Sequence, residues 1–505
     1  MFSHGFPRLA AHKSCVNNLI FSRNDGRWLA SAGDDFRVHL LDFTQENIYC
    51  PSYTLSGATG NITALDFSAT NKYLYRLGGG ADNVILKYDV PLLEGTTSGR
   101  RGSSSFIEEY RNHDDIVRAL TCHPYEDEIF LSASEDASLV LHDARVGNGM
   151  SAVQGTVEHT AGFTDVQYHP VLEHLFATSD ASGRVCLHDT RMAFGSSSER
   201  SNQGIVRVYN TKLSRKSTNY LSNPESSSLT FDRDGSKLAV TFLHYFPTIY
   251  ALSDSHPLAI CTGRNAPNGS PIPPSERTYA HSFSTIRSGT FGGPGMDEDD
   301  MYGAGSDDFR GYLWKIPSLI SLQELRKEIT ADDWYTHEWP NIVAFAKGKW
   351  ENRFVPFEIQ TPLARLNGHQ SLVNAVAIHP SLPYIVTSGV EHQIILHSPM
   401  SSSPTARNLH PTSSRIRKLP QNNIQVPRVL RELFAQHPTL CDDVIEGSEE
   451  EQATISAFDE VLRRMSGKDV FALRRSWEEG ADSEDSDGDE DETMVNVFDT
   501  SPSDS

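Results

Sequence analysis

Two nearly identical five-residue segments, 46 residues apart, constrain the fold of this chain more than any other feature. Leu-His-Asp-Ala-Arg occupies residues 141–145 and Leu-His-Asp-Thr-Arg occupies residues 187–191. Each segment ends a stretch of small, β-branched and apolar residues, which is the composition of a short β-strand. A repeat of this length, built from short strands and polar turns, is typical of β-propellers.

The same spacing extends along the chain. Six pairs of residues are separated by seven positions, one at a turn and one at the end of the following strand: Asp35 and Asp42, Asp82 and Asp89, Asp136 and Asp143, Ser182 and Asp189, Asp308 and Lys315, and Glu391 and Ser398. An apolar or aromatic strand residue precedes each pair, and a degenerate unit at residues 229–252 fills the remaining gap. Seven units predict an all-β fold, a closed seven-bladed β-propeller within residues 1–400.

The strand endings resemble WD repeats in which other residues have replaced the Trp, which survives once, as Trp314. In WD repeats a His bonds the turn Asp across the blade, and four histidines precede the expected second strands: His12, His113, His159 and His369. Four aspartates occupy positions where a tight turn needs a side-chain acceptor: Asp35, Asp82, Asp136 and Asp308. We interpret Trp314, the four histidines and the four aspartates as structural residues of the blades.

Four insertions and a C-terminal region surround the blades. The insertions are expected at about residues 91–109, 192–218, 253–287 and 318–361. The last begins with Ser318 as a helix cap and contains three of the six tryptophans, which form either an adhesive surface or the packing of the insertion onto a blade. Residues 401–453 read as a linker, 454–480 as a short helical segment and 481–505 as a disordered acidic tail.

The net charge of −22 is concentrated at the C-terminus. An acidic chain without a basic stripe argues against direct nucleic-acid binding. Within the tail, Ser483 and Ser486 have the acidic surroundings that acidophilic kinases favour, although the tail also fits a purely solvating role.

Other sequence features bear on localisation and chemistry. There is no run of apolar residues long enough for a membrane helix, and the N-terminus lacks a signal-peptide pattern. The six cysteines show no paired-ligand spacing. We expect an intracellular protein, nuclear or cytoplasmic, without a cofactor, a metal or a membrane partner.

Only the third and fourth repeats place an Arg two residues after the closing Asp. Arg145 and Arg191 occupy equivalent positions on adjacent blades, so the sequence predicts that both emerge on one rim of the ring. The alternative interpretation is that these two surface arginines contribute only to solubility.

Adjacent repeats that end in Asp-x-Arg resemble the substrate receptors of cullin-4 RING ubiquitin ligases, the damaged-DNA-binding-protein-and-cullin-associated factors. The resemblance extends to residues 16–22, 33–38, 305–309, 313–317, 366–374 and 457–464. It implies that Asp143, Arg145, Asp189 and Arg191 bind the ligase adaptor while another surface holds a protein substrate. His142 and His188 depart from the family pattern, which has Trp there.

The resemblance implies a non-catalytic receptor, and the residues offer little for an enzyme. The chain lacks a Walker loop, a His-Glu-x-x-His motif and a Gly-x-Ser-x-Gly elbow. The alternative is a general WD-repeat scaffold for chromatin or complex assembly, without a ligase. The two hypotheses differ in whether adaptor and cullin subunits copurify with the protein.

Overall fold

The computed structural model describes residues 7–10, 12–78, 83–95, 106–145, 155–196, 198, 200–282, 289–293, 300–339, 342–399, 410–411, 416–420, 447–465 and 470–471. Asp82, Ser483, Ser486 and the predicted tail at 481–505 lie outside these residues. No helix among the described residues is both long enough and apolar enough to cross a membrane.

Seven antiparallel sheets follow one another along the chain, and we number them as blades 1 to 7. Blade 1 consists of Val16–Phe21, Trp28–Gly33, Val38–Asp42 and Tyr53–Leu55, blade 2 of Ile62–Phe67, Tyr73–Gly78, Ile85–Asp89 and Glu108–Tyr110, and blade 3 of Val117–Cys122, Ile129–Ser134, Ser138–Asp143 and Thr156–Glu158. Blade 4 consists of Phe163–Tyr168, Leu175–Asp180, Val185–Asp189 and Ile205–Val208, and blade 5 of Ser226–Phe231, Lys237–Phe242, Thr248–Ala251 and Ala259–Cys261, with Phe357–Ile359 added in parallel. Blade 6 consists of Thr290–Gly292, Met301–Gly305, Gly311–Lys315 and Ala364–Leu366, and blade 7 of Val373–Ile378, Ile385–Gly389 and Gln393–His397.

The two ends of the propeller are joined within blade 7. Its fourth strand is Pro7–Ala10, which pairs antiparallel with the third strand so that Arg8 faces Ile395. His410–Pro411 adds a short fifth strand beyond it. The first strands of neighbouring blades contact one another around the whole ring, including blade 7 with blade 1. The predicted seven-bladed propeller is therefore confirmed, and the degenerate unit at 229–252 is part of blade 5.

The blades are stacked face to face, so their middle strands are buried on both sides. All six residues of Trp28–Gly33 and of Tyr73–Gly78 are buried. The adjacent first strand of the same blade also leaves no room at the end of the second strand in blade 7. A Cβ at Gly389 would lie 1.9 Å from the carbonyl oxygen of Leu372, which explains the glycine there.

Two of the insertions combine into one structure outside the ring. Leu213–Arg215, Val343–Phe345, Arg353–Val355 and Lys327–Ile329 form a four-stranded sheet, accompanied by helices Leu319–Leu325 and Ala331–Thr336. Ser318 caps the first helix by accepting from the backbone N–H of Ser321, as predicted. Trp334 is buried against this sheet, whereas Trp350 is 72% exposed. Short helices at Val90–Gly95 and Thr190–Ala193 follow the third strands of blades 2 and 4, and a 3₁₀ turn at Asn202–Gly204 precedes the fourth strand of blade 4.

A separate helix, Gly447–Met465, packs on the ring. The helix begins before residue 454, where the predicted helical segment starts. The sequence did not indicate the earlier residues as helical because they are polar and show no apolar periodicity. Ile455 and Leu462 are buried against Cys15, Phe309, Leu372 and Val390. We call the surface formed by these four ring residues the helix face.

Candidate functional site

The two repeated endings occupy equivalent places in blades 3 and 4. Asp143 pairs with Ile129, and Asp189 pairs with Leu175, so each Asp ends the third strand opposite the start of the second. The next residue in each repeat donates its backbone N–H to the loop between the first and second strands, at 3.0 Å in blade 3 and 2.8 Å in blade 4. Both endings therefore reach the same edge of the ring.

Each Asp binds the Arg two residues after it in the same geometry. Asp143 Oδ1 accepts from the backbone N–H of Arg145 at 3.0 Å and from Nε at 2.9 Å, while Oδ2 accepts from Nη2 at 2.9 Å. The corresponding distances from Asp189 to Arg191 are 2.9, 3.0 and 2.6 Å. These hydrogen bonds hold the pKa of both carboxyl groups below the usual value, against a weaker opposing effect of burial.

The arginines stay on the surface although they are paired. The Arg145 side chain is 48% exposed and that of Arg191 is 67% exposed. Arg145 also places Nη1 3.2 Å from Glu126. The sequence correctly predicted exposure on one rim, but it did not indicate that each Asp orients its own Arg. This pairing fixes the direction of each guanidinium group while the side chain stays accessible to solvent.

Exposed apolar side chains lie beside these arginines. Tyr125 is 56% exposed, Val171 48% and Leu172 47%. The Tyr125 hydroxyl donates to the Val171 carbonyl at 3.0 Å and thereby links blades 3 and 4. We call Arg145, Arg191 and these three apolar residues the arginine face.

A His-Pro dipeptide builds the turn that carries these apolar residues. His123 Nδ1 accepts from the backbone N–H groups of residues 125 and 126, and His169 Nδ1 accepts from residues 171 and 172. His379 makes the same pair of bonds in blade 7. The sequence reasoning missed this motif, although three His-Pro pairs at one position of the repeat could have revealed it.

His142 and His188 lie in the core rather than on the arginine face. Each stacks on a Phe of the second strand, with ring centroids 4.2 Å apart for His142 and Phe130 and 4.8 Å apart for His188 and Phe176. Each also hydrogen-bonds a hydroxyl of that strand at 2.8 Å. An aromatic ring with a polar nitrogen thus fills the position that Trp has in other WD repeats, and the outward Asp and Arg are unaffected.

Comparison with known proteins agrees with the propeller fold. The family described as WD domain, G-beta repeat matches residues 6–42, 49–89 and 360–398. DDB1- and CUL4-associated factor 5 of Mus musculus and of Homo sapiens are each 28% identical to the chain over 394 residues. The chain thus contains WD repeats and is similar in sequence to DDB1- and CUL4-associated factor 5. The resemblance recognised in the sequence is thereby confirmed.

The match covers unequal shares of the two chains. It includes 77% of this WD-repeat protein but 33% of each relative, so the chain spans about a third of the length of the curated relatives it matches. Protein ALTERED SEED GERMINATION 2 of Arabidopsis thaliana is 29% identical over 140 residues, which is 27% of this chain and 18% of that protein.

The histidines assigned to the blades divide into two groups. His12 Nδ1 lies 2.9 Å from Asp35, and His369 Nδ1 lies 2.7 Å from Glu391, as the expected bond across the blade requires. His113 instead bonds Ser138 at 2.8 Å, with Asp136 3.4 Å away.

His159 Nδ1 lies 3.6 Å from Asp180, and Arg184 approaches its other ring nitrogen at 2.9 Å. In blade 4 the turn acceptor is Asp180 and not Ser182, which donates to it. The count of seven positions placed Ser182 in this turn, and the carboxylate that accepts there comes from the end of the second strand.

Blade 6 stabilises its turn without a His. The fully buried Asp308 accepts from Arg310 Nη1 and from the Tyr312 hydroxyl, both at 2.7 Å. Trp314 is also fully buried and stacks on Tyr312, with ring centroids 5.3 Å apart. Both residues therefore lie in the core of the blade.

One group of side chains among the described residues has ligand atoms close enough for a metal ion: His12, Asp35 and His39. Its geometry follows from the blade. His12 bonds Asp35 through one ring nitrogen and Ser31 through the other, both at 2.9 Å, and His39 bonds Thr54 at 2.9 Å. These bonds give each residue a structural role.

A cavity of about 1010 Å³ runs between the first strands of the blades. Its charged lining groups are already paired within the ring. Arg23 contacts Asp66 at 3.2 Å, and Arg118 forms an ion pair with Glu135. The cavity therefore has a mixed polar and apolar wall in which these charges are compensated.

Replacing Asp143 by Ala is expected to lower the free energy of unfolding by about 1 kcal/mol, because the Arg145 backbone N–H and guanidinium lose their acceptor. Asp143→Asn keeps an acceptor for the backbone N–H and should recover about half of the loss. Urea denaturation of both variants measures these values. An Ala variant as stable as the wild type would contradict a structural role for this carboxylate.

Proposed function

We propose that this WD-repeat protein is the non-catalytic substrate-recognition subunit of a cullin-4 RING ubiquitin ligase. In this role the arginine face binds the ligase adaptor, DDB1, and another surface of the ring binds a protein substrate. Ubiquitin transfer is performed by the partner subunits, inside the cell.

The observation that carries the proposal is the duplicated Asp-Arg unit. Two exposed guanidinium groups, each oriented by its own carboxylate, flank exposed apolar residues on adjacent blades. Arginine, tyrosine and tryptophan are the residues that most often dominate binding energy at protein interfaces, and the arginine face contains two arginines and Tyr125. Preorientation lowers the entropy that the arginines lose on binding.

The relatives supply the identity of the partner. The printed name of DDB1- and CUL4-associated factor 5 states its association with DDB1 and CUL4, and the match includes the repeats that bear both Asp-Arg units within its 77% coverage of the chain. Both repeats retain the Asp and the Arg that carry the family resemblance: Asp143 and Arg145 in the first, Asp189 and Arg191 in the second.

The test is binding of purified DDB1 to the full chain, measured by surface plasmon resonance. Arg145→Ala with Arg191→Ala should weaken binding by at least about tenfold, since truncation of an interface arginine commonly costs more than 1 kcal/mol. Tyr125→Ala with Leu172→Ala should produce a loss of similar size.

The matched control replaces two other exposed arginines, Arg111 and Arg264, by Ala; their side chains are 68% and 59% exposed. These changes should leave DDB1 binding unchanged. Binding that is equal in all variants would overturn the assignment of the arginine face. If the wild type itself does not bind DDB1 or copurify with CUL4, the protein is a general WD-repeat scaffold instead.

A further inference from the structure

The C-terminal helix and the arginine face lie on opposite faces of the ring. Cys15 and Leu372 precede the first strands of blades 1 and 7, and Phe309 and Val390 lie between second and third strands. Asp143, by contrast, is the last residue of a third strand. Because successive strands of a blade are antiparallel, these two sets of loops lie at opposite edges.

The helix Gly447–Met465 contacts the helix face through one short pattern. Ile455, Phe458 and Leu462 supply apolar contacts one and two turns apart. Asp459, which is 1% exposed, accepts from both terminal nitrogens of Arg417 at 2.7 Å. An amphipathic helix that lies in a groove through such a pattern is a recurrent mode of peptide recognition.

The receiving surface has an apolar floor and a basic wall. Phe309 is fully buried, and the guanidinium groups of Arg277 and Arg417 lie 4.8 and 5.0 Å from the centre of its ring. Arg277 Nη1 is buried and has no hydrogen-bond partner among the described residues. Arg310 donates to the Arg277 carbonyl oxygen at 3.1 Å and so supports its position, while its own charge is compensated by Asp308 and Glu276. Such a wall is complementary to an acidic helix.

We propose that the helix face is a recognition site for an acidic amphipathic helix of a partner protein, and that Gly447–Met465 is an internal occupant which the partner displaces. This inference rests on the proposed receptor function, for which it names the class of substrate segment. The partner segment would carry a carboxylate with one apolar residue four positions before it and another three positions after it. Ile455 and Leu462 have these positions relative to Asp459 in the internal helix.

A second anchor shows how the occupant is retained. Ser222 donates to the Val470 carbonyl at 2.8 Å, and Arg215 lies 4.2 Å from the centre of the Phe471 ring. The segment is covalently part of the chain, so it competes at a high effective concentration. A free partner must overcome this competition, and the wild-type chain therefore binds such a helix weakly.

The experiment uses a fluorescent peptide with the sequence of residues 451–465 and the full chain. In one variant, Ile455→Asp with Asp459→Lys, the internal helix loses both its apolar contact and its ion pair. We expect this released variant to bind the peptide at least about tenfold more tightly than the wild type. A peptide carrying D459K is the matched control and should not bind either protein.

Adding Arg417→Glu to the released variant should abolish peptide binding, since the carboxylate then meets a negative charge. Peptide binding that is equally weak in the wild type and the released variant would overturn the proposal. DDB1 binding by the released variant is measured in parallel and should be unchanged, because the arginine face lies on the other side of the ring. Failure of the peptide to bind would therefore contradict only this inference, and failure of DDB1 to bind would contradict only the proposed receptor function.

Hydrogen exchange of the wild-type chain keeps the proposal testable if the released variant does not fold. The amides of the C-terminal helix should exchange through local opening, at least about a hundredfold faster than those of the inner strand Val373–Ile378. Exchange of helix and strand at the same rate would show that the helix leaves only on global unfolding, and would overturn displacement by a partner.

Discussion

Lowering the pH from 7 to 4 is expected to unfold the propeller, because its core contains neutral histidines. Burial lowers the pKa to about 4 for His188 and His379. It lowers the pKa to about 3 for four other buried histidines: His39, His142, His281 and His397. In the unfolded chain the same side chains have a pKa near 6.5.

The sign of the effect follows from these values. The folded-state pKa values lie below the unfolded value, so the unfolded chain binds more protons as soon as the pH falls below about 6.5. Stability is complete above that pH and decreases towards pH 4. Each histidine costs up to about 1.4 kcal/mol per pH unit, so six together rival the stability of a typical domain, about 5–15 kcal/mol, within about two units.

Urea denaturation at pH 7.5, 6.5, 6.0 and 5.5 measures this dependence. His397→Gln should be less stable at pH 7.5, because the ring bonded to Thr387 at 2.8 Å is lost. Its stability should nevertheless decrease less steeply with falling pH, by about one proton. A stability that stays constant between pH 7 and pH 5.5 would refute neutral burial of these histidines.

Replacing Asp308 by Ala should have the largest effect of any single substitution considered, about 3–5 kcal/mol. The change removes the acceptor of two buried donors, Arg310 Nη1 and the Tyr312 hydroxyl. Arg310 would keep Glu276 at 2.7 Å, but its charge would be poorly compensated, since its side chain is only 7% exposed. The melting temperature and the free energy of unfolding report the loss.

Two controls separate charge from shape. Asp308→Asn preserves the size of the side chain and one acceptor, and it should cost clearly less than the Ala variant. Glu109→Ala breaks an exposed ion pair with Arg111 and should cost under about 1 kcal/mol. Equal effects of Asp308→Ala and Glu109→Ala would show that Asp308 does not stabilise blade 6.

The blades could be predicted because their signals are local. The repeated endings at 141–145 and 187–191 reflect strand residues and turn acceptors that lie within one blade. The same locality explains why the Ser318 cap was predicted correctly, since it bonds a residue three positions away. In blade 4 the count of seven positions placed Ser182 in the turn, while the carboxylate that accepts there belongs to Asp180, two positions earlier.

The candidate site was predictable only in part. Exposure of Arg145 and Arg191 on one rim follows from equivalent positions in adjacent repeats. Their apolar neighbours, such as Tyr125 and Val171, come from a different loop of each blade. Sequence distance does not show that this loop and the strand end meet at one edge, although the His-Pro dipeptides mark it.

The sequence by itself determined the ring: repeat length, strand pattern and turn residues are short-range properties, and a closed set of seven buries the strands on both faces. Only the tertiary structure decided what lies around the ring. Leu213–Arg215 pairs with Val343–Phe345 across more than a hundred residues, and Asp459 binds Arg417, which lies after the ring in residues 416–420. These contacts depend on which distant segments the closed ring brings within a few ångströms of one another. A local sequence pattern contains no information about such distances.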